Sequence, residues 1–517
     1  MPLPNSMRPD PGSSFAQGSR SSRWKVVGIA SLLALFCLPF ADLAISTPSP
    51  GKVFAALASG FLRPDFSAIS HLGEAMMLTL AVAFAGVAIG ALAGLILAFF
   101  WSNWLIRALS LSLRGVHELI WALFIMTITG PSAPTAVIAL ALAYSGIFAK
   151  VFAEILEEAD PHPRAALPKE GRNLSGLVYA KLLPSLPAFW TYFSYRIECG
   201  IRSSAVLGFV GLPTLGFELD TLFKQGQYGG AAAVLILTYL LVITLPFWLK
   251  RPVLPLYILG SFAYILAFPR METSGQALLT LLTQDIVPVP LRNGAWADTV
   301  GWEAFASWLW RLISQQMLPG IVATLILGLF AMLLTGLIAI VTFPLIVRPL
   351  VGRVGSSLGH ALLVILRSTP EYMLVFVGVQ ALGPSMLPAI LALGLHNGAI
   401  IAHLLGRQAS QLVPSLRADR PHGINLYAYE LVPRLSGQFF AYLLYRGEII
   451  LRESMILGIL GIATLGFFID SAIAELRLDR AVILIIGMIL TTAMVDQASR
   501  RIRRMIGAQA VSTTACV

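Results

Sequence analysis

The sequence has 517 residues, a formal net charge of +10, and 57% hydrophobic against 12% charged residues. An ordinary soluble domain carries about 25% charge, so the soluble classes are excluded and an integral membrane protein is left. Surplus Lys and Arg in such a protein collect in cytoplasmic loops, so the positive charge does not call for nucleic acid as a partner.

In chain order, residues 1–25 are rich in Ser, Pro and Gly and end on Arg20, Arg23 and Lys25, the composition of a disordered cytoplasmic tail. Val26 to Ser46 reads as a first span, uncleaved because it follows a long tail and lacks a small-residue cleavage site. Apolar stretches near 75–100, 116–130, 135–153, 185–210 and 231–249 complete a first set of six. A second set lies near 253–268, 318–343, 361–382, 386–404, 436–462 and 481–495. Threading alternate sides from an internal N-terminus puts Arg107, Arg114, Arg164, Lys169, Lys250, Arg348, Arg407, Arg417 and Arg500 inside, as the positive-inside rule asks. The expected fold is an all-α polytopic bundle of about twelve spans, with both termini cytoplasmic. Its two tandem, parallel-oriented halves would be 26–250 and 251–505, followed by a tail at 506–517. Cys37, Cys199 and Cys516 are too scattered for a disulfide framework and read as packing residues.

The two sets are copies. A shift of 250 positions aligns Phe189–Phe217 with Phe439–Phe467 at fourteen identities in twenty-nine positions, where ordinary usage gives about two. Arg114 and Glu118 echo Arg367 and Glu371. With an even span number in each half, the copies share one orientation, so a pseudo-two-fold axis runs along the membrane normal with a pathway at the interface.

Each copy sets charges within an apolar span: Arg196, Glu198 and Arg202, then Arg446, Glu448 and Arg452. A charge at bilayer depth costs several kcal/mol unless it is paired or faces water. The four-residue spacing suits Glu198–Arg202 and Glu448–Arg452 ion pairs, which leaves Arg196 and Arg446 over. Surplus guanidinium groups match the geometry of phosphate-like oxyanions; alternatively all three charges lock helices together. Beyond them, Gly208, Gly211 and Gly216, mirrored by Gly458, Gly461 and Gly466, serve either as a hinge or gate or, more simply, as points of close packing.

Polar stretches at about 154–184 and 405–435 separate the fourth and fifth spans. The first carries Ala165, Ala166 and Gly171, with Leu183-Pro184 opening the next span thirteen residues after the Gly. This arrangement resembles the coupling loop of type I ABC importer permeases. The run Tyr195-Arg196-Ile197-Glu198, then Arg202-Ser203 and Ala205 to Gly211, with Glu118 to Leu123 and Thr369-Pro370-Glu371, is similar to the phosphonate importer permeases in particular.

The resemblance implies a permease without its own ATP site and two partner ATP-binding-cassette ATPases gripping the loops. It also implies an external substrate-binding protein that delivers phosphonate, phosphite or a related anion. Ala165, Ala166, Gly171, Leu183 and Pro184 would couple to one ATPase, and Arg420, Gly423 and Pro433 to the other. The chain departs from the family in fusing two copies and in placing Ala165 where the family has Glu. Pro433 follows Gly423 by only ten residues, so either three residues are missing or Arg420 replaces the Gly.

No P-loop, His-Glu-x-x-His or Gly-x-Ser-x-Gly motif occurs, so neither an enzyme nor a cofactor or metal is expected. His396 and His403, seven apart, read as satisfied polar residues. An ion-coupled secondary transporter with two six-span repeats is the alternative, and the coupling-loop resemblance argues against it.

Overall fold

The structure, a computed structural model, describes residues 15–69, 71–159, 178–250, 252–267, 279–292, 295–417 and 419–505. Every regular element among the described residues is helical. The longer ones in the first part of the chain are α1 (Phe15–Cys37), α2 (Pro50–Leu62), α3 (Leu72–Phe99), α4 (Trp104–Gly115), α5 (Glu118–Thr129) and α6 (Ala133–Glu158). They continue as α7 (Leu183–Val206), α8 (Leu215–Lys224) and α9 (Tyr228–Trp248). Then come α10 (Leu254–Ala267), α11 (Thr299–Leu312), α12 (Leu318–Thr342), α13 (Arg348–Ser368), α14 (Glu371–Leu382) and α15 (Met386–Leu412). Last are α16 (Val432–Ile456), α17 (Leu465–Ala474) and α18 (Leu478–Met505). Elements α3 to α9 recur in the same order as α12 to α18.

Each copy is built around one close helix pair, α3 on α6 and α12 on α15. In the first pair the small residues sit on α3: a Cβ on Gly86 would meet Leu140 at 2.9 Å, one on Gly90 would meet Tyr144 at 2.9 Å, and one on Gly94 would strike Phe148. In the second pair they sit on the partner, where Gly394 and Gly398 of α15 face Leu334 and Ile338 of α12 at 2.7 Å. Small residues spaced by four let two backbones approach without a hydrophobic driving force. Either helix can supply them.

The helices that open each half pack away from their own copy. α10 lies on α3, with Tyr257 against Phe84 at 5.5 Å between ring centroids. α1 lies on α12, and the segment after it is tied to the second copy by Ser46 N–H to the Leu382 carbonyl at 3.0 Å and Met386 N–H to the Asp42 carbonyl at 2.9 Å.

Length and apolarity alone do not pick out all twelve expected spans. Among the described residues seven helices are long and apolar enough to cross a bilayer, or nine with two bent pairs counted as one span each. The stretch read as a span at 116–130 is α5, only twelve residues or about 18 Å long. It meets α4 at a 90° break. In the second copy Pro370 ends the stretch read as 361–382, because a proline cannot continue the ladder of the helix before it. Apolarity alone does not report such breaks.

The turn joining α7 to α8 shows how repeated sequence becomes repeated structure. Leu207–Val210 is a 3-10 turn closed by Gly211 at φ 88°, and Leu457–Leu460 is closed by Gly461 at φ 84°. Both glycines occupy the left-handed region that suits them. Thr79 of α3 accepts the Leu215 N–H at 3.0 Å, and Thr324 of α12 accepts the Leu465 N–H at 3.1 Å. A Cβ on Gly208 would strike Phe217 N, and one on Gly458 would strike Phe467 N. One on Gly466 would strike the Met455 carbonyl.

Candidate functional site

A cavity of about 510 Å³ lies between the two copies. Its walls come from α4–α7 of the first and α14–α16 of the second. It runs along α6 through Tyr144, Ile147, Lys150, Glu154 and Glu158, and reaches Arg503 of α18. It therefore extends from the α5 and α14 N-termini toward the end at which α6 and α18 finish.

Two reciprocal contacts frame it. Arg202 NH1 donates to the Arg367 carbonyl at 3.2 Å, and Arg452 NH1 donates to the Arg114 carbonyl at 3.1 Å. Arg202 matches Arg452 and Arg367 matches Arg114 in the repeat, so each copy caps the broken helix of the other. The acceptors are carbonyls at the C-terminal ends of α4 and α13, where helices have unsatisfied oxygens and negative dipole character. Arg202 Nε and Arg452 Nε are buried and find no acceptor among the described residues.

The expected i,i+4 ion pairs come out unequally. Glu198 approaches Arg202 at 3.9 Å, with its side chain 38% exposed. Glu448 turns instead to Arg114 of the first copy at 3.1 Å, with both side chains nearly buried. Arg114 also holds Asp496 of α18 at 3.3 Å. The matched position on α9 is Pro246, so nothing equivalent can form there. A second anionic partner from outside the helix draws Arg114 in, and the Glu448–Arg452 pair read from spacing is replaced.

Arg196 and Arg446 make no ion pair with a carboxylate among the described residues. Arg196 bonds the Tyr192 hydroxyl at 2.8 Å. Its guanidinium lies over the rings of Tyr192, Tyr195 and Tyr144 at 5.1, 5.6 and 5.9 Å, cation–π contacts that hold a cation without neutralising it. Arg446 meets Asn397 Oδ1 at 3.5 Å.

The walls differ at matched positions. At a shift of 253, Leu142, Ile147 and Ala149 of α6 match Leu395, Ile400 and Ala402 of α15, which pairs Tyr144 with Asn397 and Ala143 with His396. In the first copy Tyr144 faces Ser203 at 3.4 Å. In the second, Asn397 donates to Glu453 at 3.3 Å. Glu118 stands beside His117 at 3.4 Å, and Glu371 beside His396 at 3.5 Å.

No family model matches the chain, and no solved structure matches it. Curated relatives do. Over 515 residues it is 25% identical to the phosphate-import permease protein of Mycolicibacterium smegmatis, covering 92% of each chain. It is 33% identical over 198 residues to the phosphite transport system permease protein of Stutzerimonas stutzeri, covering 36% of this chain and 72% of the relative. The chain belongs to the phosphonate and phosphite ABC permease family. The Stutzerimonas permease is half as long, whereas the Mycolicibacterium one shares the double length of this chain. A permease named for cryptic phosphonate transport in Escherichia coli is 29% identical over 115 residues, covering 22% of this chain and 94% of the relative.

Of the six charges singled out in this permease, Arg196, Arg202, Arg446, Glu448 and Arg452 line the cavity, while Glu198 stands outside its lining. Glu118, His117, Glu371, His396 and Glu453 line it too. Sequence reasoning passed over them as cavity residues, although the Arg-x-x-x-Glu echo contained both Glu118 and Glu371. His396 and His403 diverge: His396 meets Glu371 and the Leu366 carbonyl, and His403 meets Arg367 at 3.4 Å. No group of three or more metal-ligating side chains occurs among the described residues.

The loop residues are placed less evenly. Ala165, Ala166 and Gly171 lie outside the described residues. Leu183 and Pro184 stand where the π-helix Val178–Leu182 passes into α7. Pro433 stands likewise at the start of α16. α15 continues to Leu412 and so runs into the second polar stretch. Within it Arg420 NH1 bonds the Val413 carbonyl at 2.9 Å, and Gly423, at φ 59°, starts the short helix Gly423–Asn425.

Proposed function

We propose that this permease is the membrane subunit of an ATP-driven importer that carries phosphonate-like anions through the cavity between its copies. One observation carries the reading: two guanidinium groups, Arg196 of α7 and Arg446 of α16, have no carboxylate partner among the described residues, and both line the cavity. Buried unpaired charge is costly, and an oxyanion in transit offsets that cost at both. The spare Nε–H groups of Arg202 and Arg452 add donors of the type that binds phosphate bidentately.

The substrate class is that of the relatives named for phosphite, phosphate and phosphonate transport. Energy enters from two ATP-binding-cassette ATPases that grip the stretches at 154–184 and 405–435, Ala165, Ala166, Gly171, Leu183 and Pro184 on one and Arg420, Gly423 and Pro433 on the other. An external binding protein delivers the anion, and the chain sits in the inner membrane with both termini cytoplasmic. Gly208, Gly211, Gly216, Gly458, Gly461 and Gly466 fix the turns behind the cavity, which makes them packing points on which a gate could bear.

The test is uptake of phosphite and an alkylphosphonate by cells that lack other phosphorus carriers and express the complete importer. The double variant Arg196→Glu with Arg446→Glu should abolish uptake while reaching the membrane at normal level. Normal uptake by that variant sinks the pathway, and uptake that persists with an inactive ATPase sinks the coupling. Labelling of cysteines placed at Glu157 and Arg417 from the outer face would overturn the topology.

A further inference from the structure

We infer that an apolar pocket where α10 lies on the first copy is a binding site for an anionic phospholipid of the inner leaflet, one acyl chain in the pocket and the phosphate at Lys181 and Lys250. The leaflet follows from the topology in the permease reading above, whereas the site does not depend on which anion is carried. The pocket has a volume of about 630 Å³ and shares no lining residue with the cavity between the copies. Its walls include Leu92 and Leu95 of α3, Phe152 of α6, Trp190 and Phe193 of α7 and Ile258 of α10, and no charged or hydroxyl-bearing side chain takes part.

Water does not fill a purely apolar pocket, so the occupant depends on what the mouth meets. Leu92 and Leu186 line the pocket and are 63% and 50% exposed. Both belong to membrane helices, so the mouth opens on hydrocarbon. α3 has 28 residues, about 42 Å, which matches a bilayer with its headgroups. Leu92 and Leu95 lie in its last third, and Trp190 lies about 10 Å into α7 from the same side. That depth is the acyl region of the inner leaflet. Lys181 precedes Trp190 by nine residues and Lys250 precedes Ile258 by eight. Backbone bonds from Val253 and Leu254 to the Lys250 carbonyl continue the line of α10 back to that lysine. Two helices of the pocket thus each carry a cation about 12 Å nearer the inner surface, where basic residues suit the phosphate of an anionic lipid.

The second copy fills the matched place with protein. Leu405, Phe440 and Leu431 stand there for Phe152, Trp190 and Lys181. All three belong to a buried cluster against which Val26 and Val27 of α1 pack. α1 begins at Phe15 and so runs past this level, whereas α10 starts at Leu254, directly after its link to α9, and brings only Ile258 to the pocket. An acyl chain supplies in the first copy the apolar mass that α1 supplies in the second. Held by a lysine from α10's link and one from the approach to α7, the lipid ties the opening helix of the second half to the first copy.

The test places the full-length chain in phosphatidylcholine nanodiscs doped with phosphatidylglycerol that carries a photoactivatable acyl chain, and maps the cross-links by peptide mass spectrometry. Labels should concentrate on Leu92, Leu186 and Trp190. Two lysines at the headgroup should favour phosphatidylglycerol over an equally labelled phosphatidylcholine by about 10- to 30-fold. Lys181→Leu, which installs the second copy's residue, combined with Lys250→Gln should remove that advantage. Ala91→Phe, which fills the pocket from α3, should displace the label with either lipid, and Ala91→Leu serves if the phenylalanine variant does not assemble. Labelling spread evenly over exposed positions such as Leu325 and Leu337 means annular lipid only. Labelling absent from the pocket means that another segment of this chain covers it, and equal labelling by the two lipids in the wild type removes the lysine contacts. Each of these three results overturns the inference and leaves the arginine pathway, tested by anion uptake, untouched.

Discussion

Glu198 and Glu448 occupy matched positions in the repeat, yet removing them should have unequal consequences. Glu448 lies 3.1 Å from Arg114, with side chains 13% and 11% exposed. At an effective dielectric of about 20, that separation gives about 5 kcal/mol of attraction before desolvation is subtracted. Arg114 keeps Asp496 at 3.3 Å when Glu448 is lost, so Glu448→Ala should destabilise the assembly by about 2–3 kcal/mol. Glu198 stands 3.9 Å from Arg202 and is 38% exposed. In a water-like dielectric its attraction is about 1 kcal/mol, and screening and side-chain entropy reduce the net for Glu198→Ala to about 0–1 kcal/mol. Arg114→Ala should be worst, at about 3–5 kcal/mol, because it strands the nearly buried Glu448 and leaves Asp496 only Arg500, 2.9 Å away on its own helix. The assay is the apparent midpoint at which the detergent-solubilised chain loses monodispersity on heating, ranked across the three variants. If Glu198→Ala lowers that midpoint as far as Glu448→Ala, or Arg114→Ala no further than Glu448→Ala, the cross-copy lock is wrong.

Two further outcomes concern the scaffold. Thr79→Val and Thr324→Val each strip the buried acceptor from a backbone N–H, of Leu215 and Leu465 respectively, and should cost about 1–3 kcal/mol each by thermal midpoint; unequal losses would argue that the two turns are not equivalent. Gly211→Ala and Gly461→Ala force a side chain into the left-handed region, worth about 1–2 kcal/mol each, while Gly208→Ala must also displace Phe217 and Gly216 and should lower the same midpoint further than Gly211→Ala. The reverse order at that turn would show that the close approach there is soft.

Much of the architecture was legible because duplication is a pattern of identities, and identities need no geometry. The all-α membrane class followed from composition, and Thr214 to Phe217 against Thr464 to Phe467 marked the same turn that the structure closes twice. What escaped was anything set by contacts distant in sequence. Spacing along one helix suggested Glu448 with Arg452, but nothing within that helix reveals Arg114, which lies 334 positions away. The 90° break between α4 and α5 escaped because His117 and Glu118 lie within a continuous apolar window, and helix caps act through hydrogen bonds rather than hydropathy. The second wall of the cavity was hidden for a related reason. Glu453 sits next to Arg452 in sequence, and only Asn397, on another helix, gives it a separate partner.

The fusion itself bears on function. Two identical subunits about an axis must present the same residue at matched positions, so any acceptor or cage they place on one wall appears on both. A single chain removes that constraint, and this permease has diverged selectively. Arg196 and Arg446, Arg202 and Arg452, and Glu118 and Glu371 remain the same in both copies. These are the groups that supply charge to the cavity or tie one copy to the other. The changed positions, Tyr144 against Asn397, Ser203 against Glu453 and Pro246 against Asp496, divide into two kinds. The first two alter what lines each wall of the cavity, a tyrosine cage about Arg196 or an amide that bridges Arg446 and Glu453. The third alters mechanics, since Asp496 helps hold Arg114 where it meets Glu448 across the copies, whereas Glu198 pairs only within α7, with Arg202, and no matching ion pair crosses at Glu198 among the described residues. Separation of the copies costs least at the Glu198 seam, so movement between them should begin there and pivot on Arg114. A symmetric dimer has no physical basis for preferring either seam.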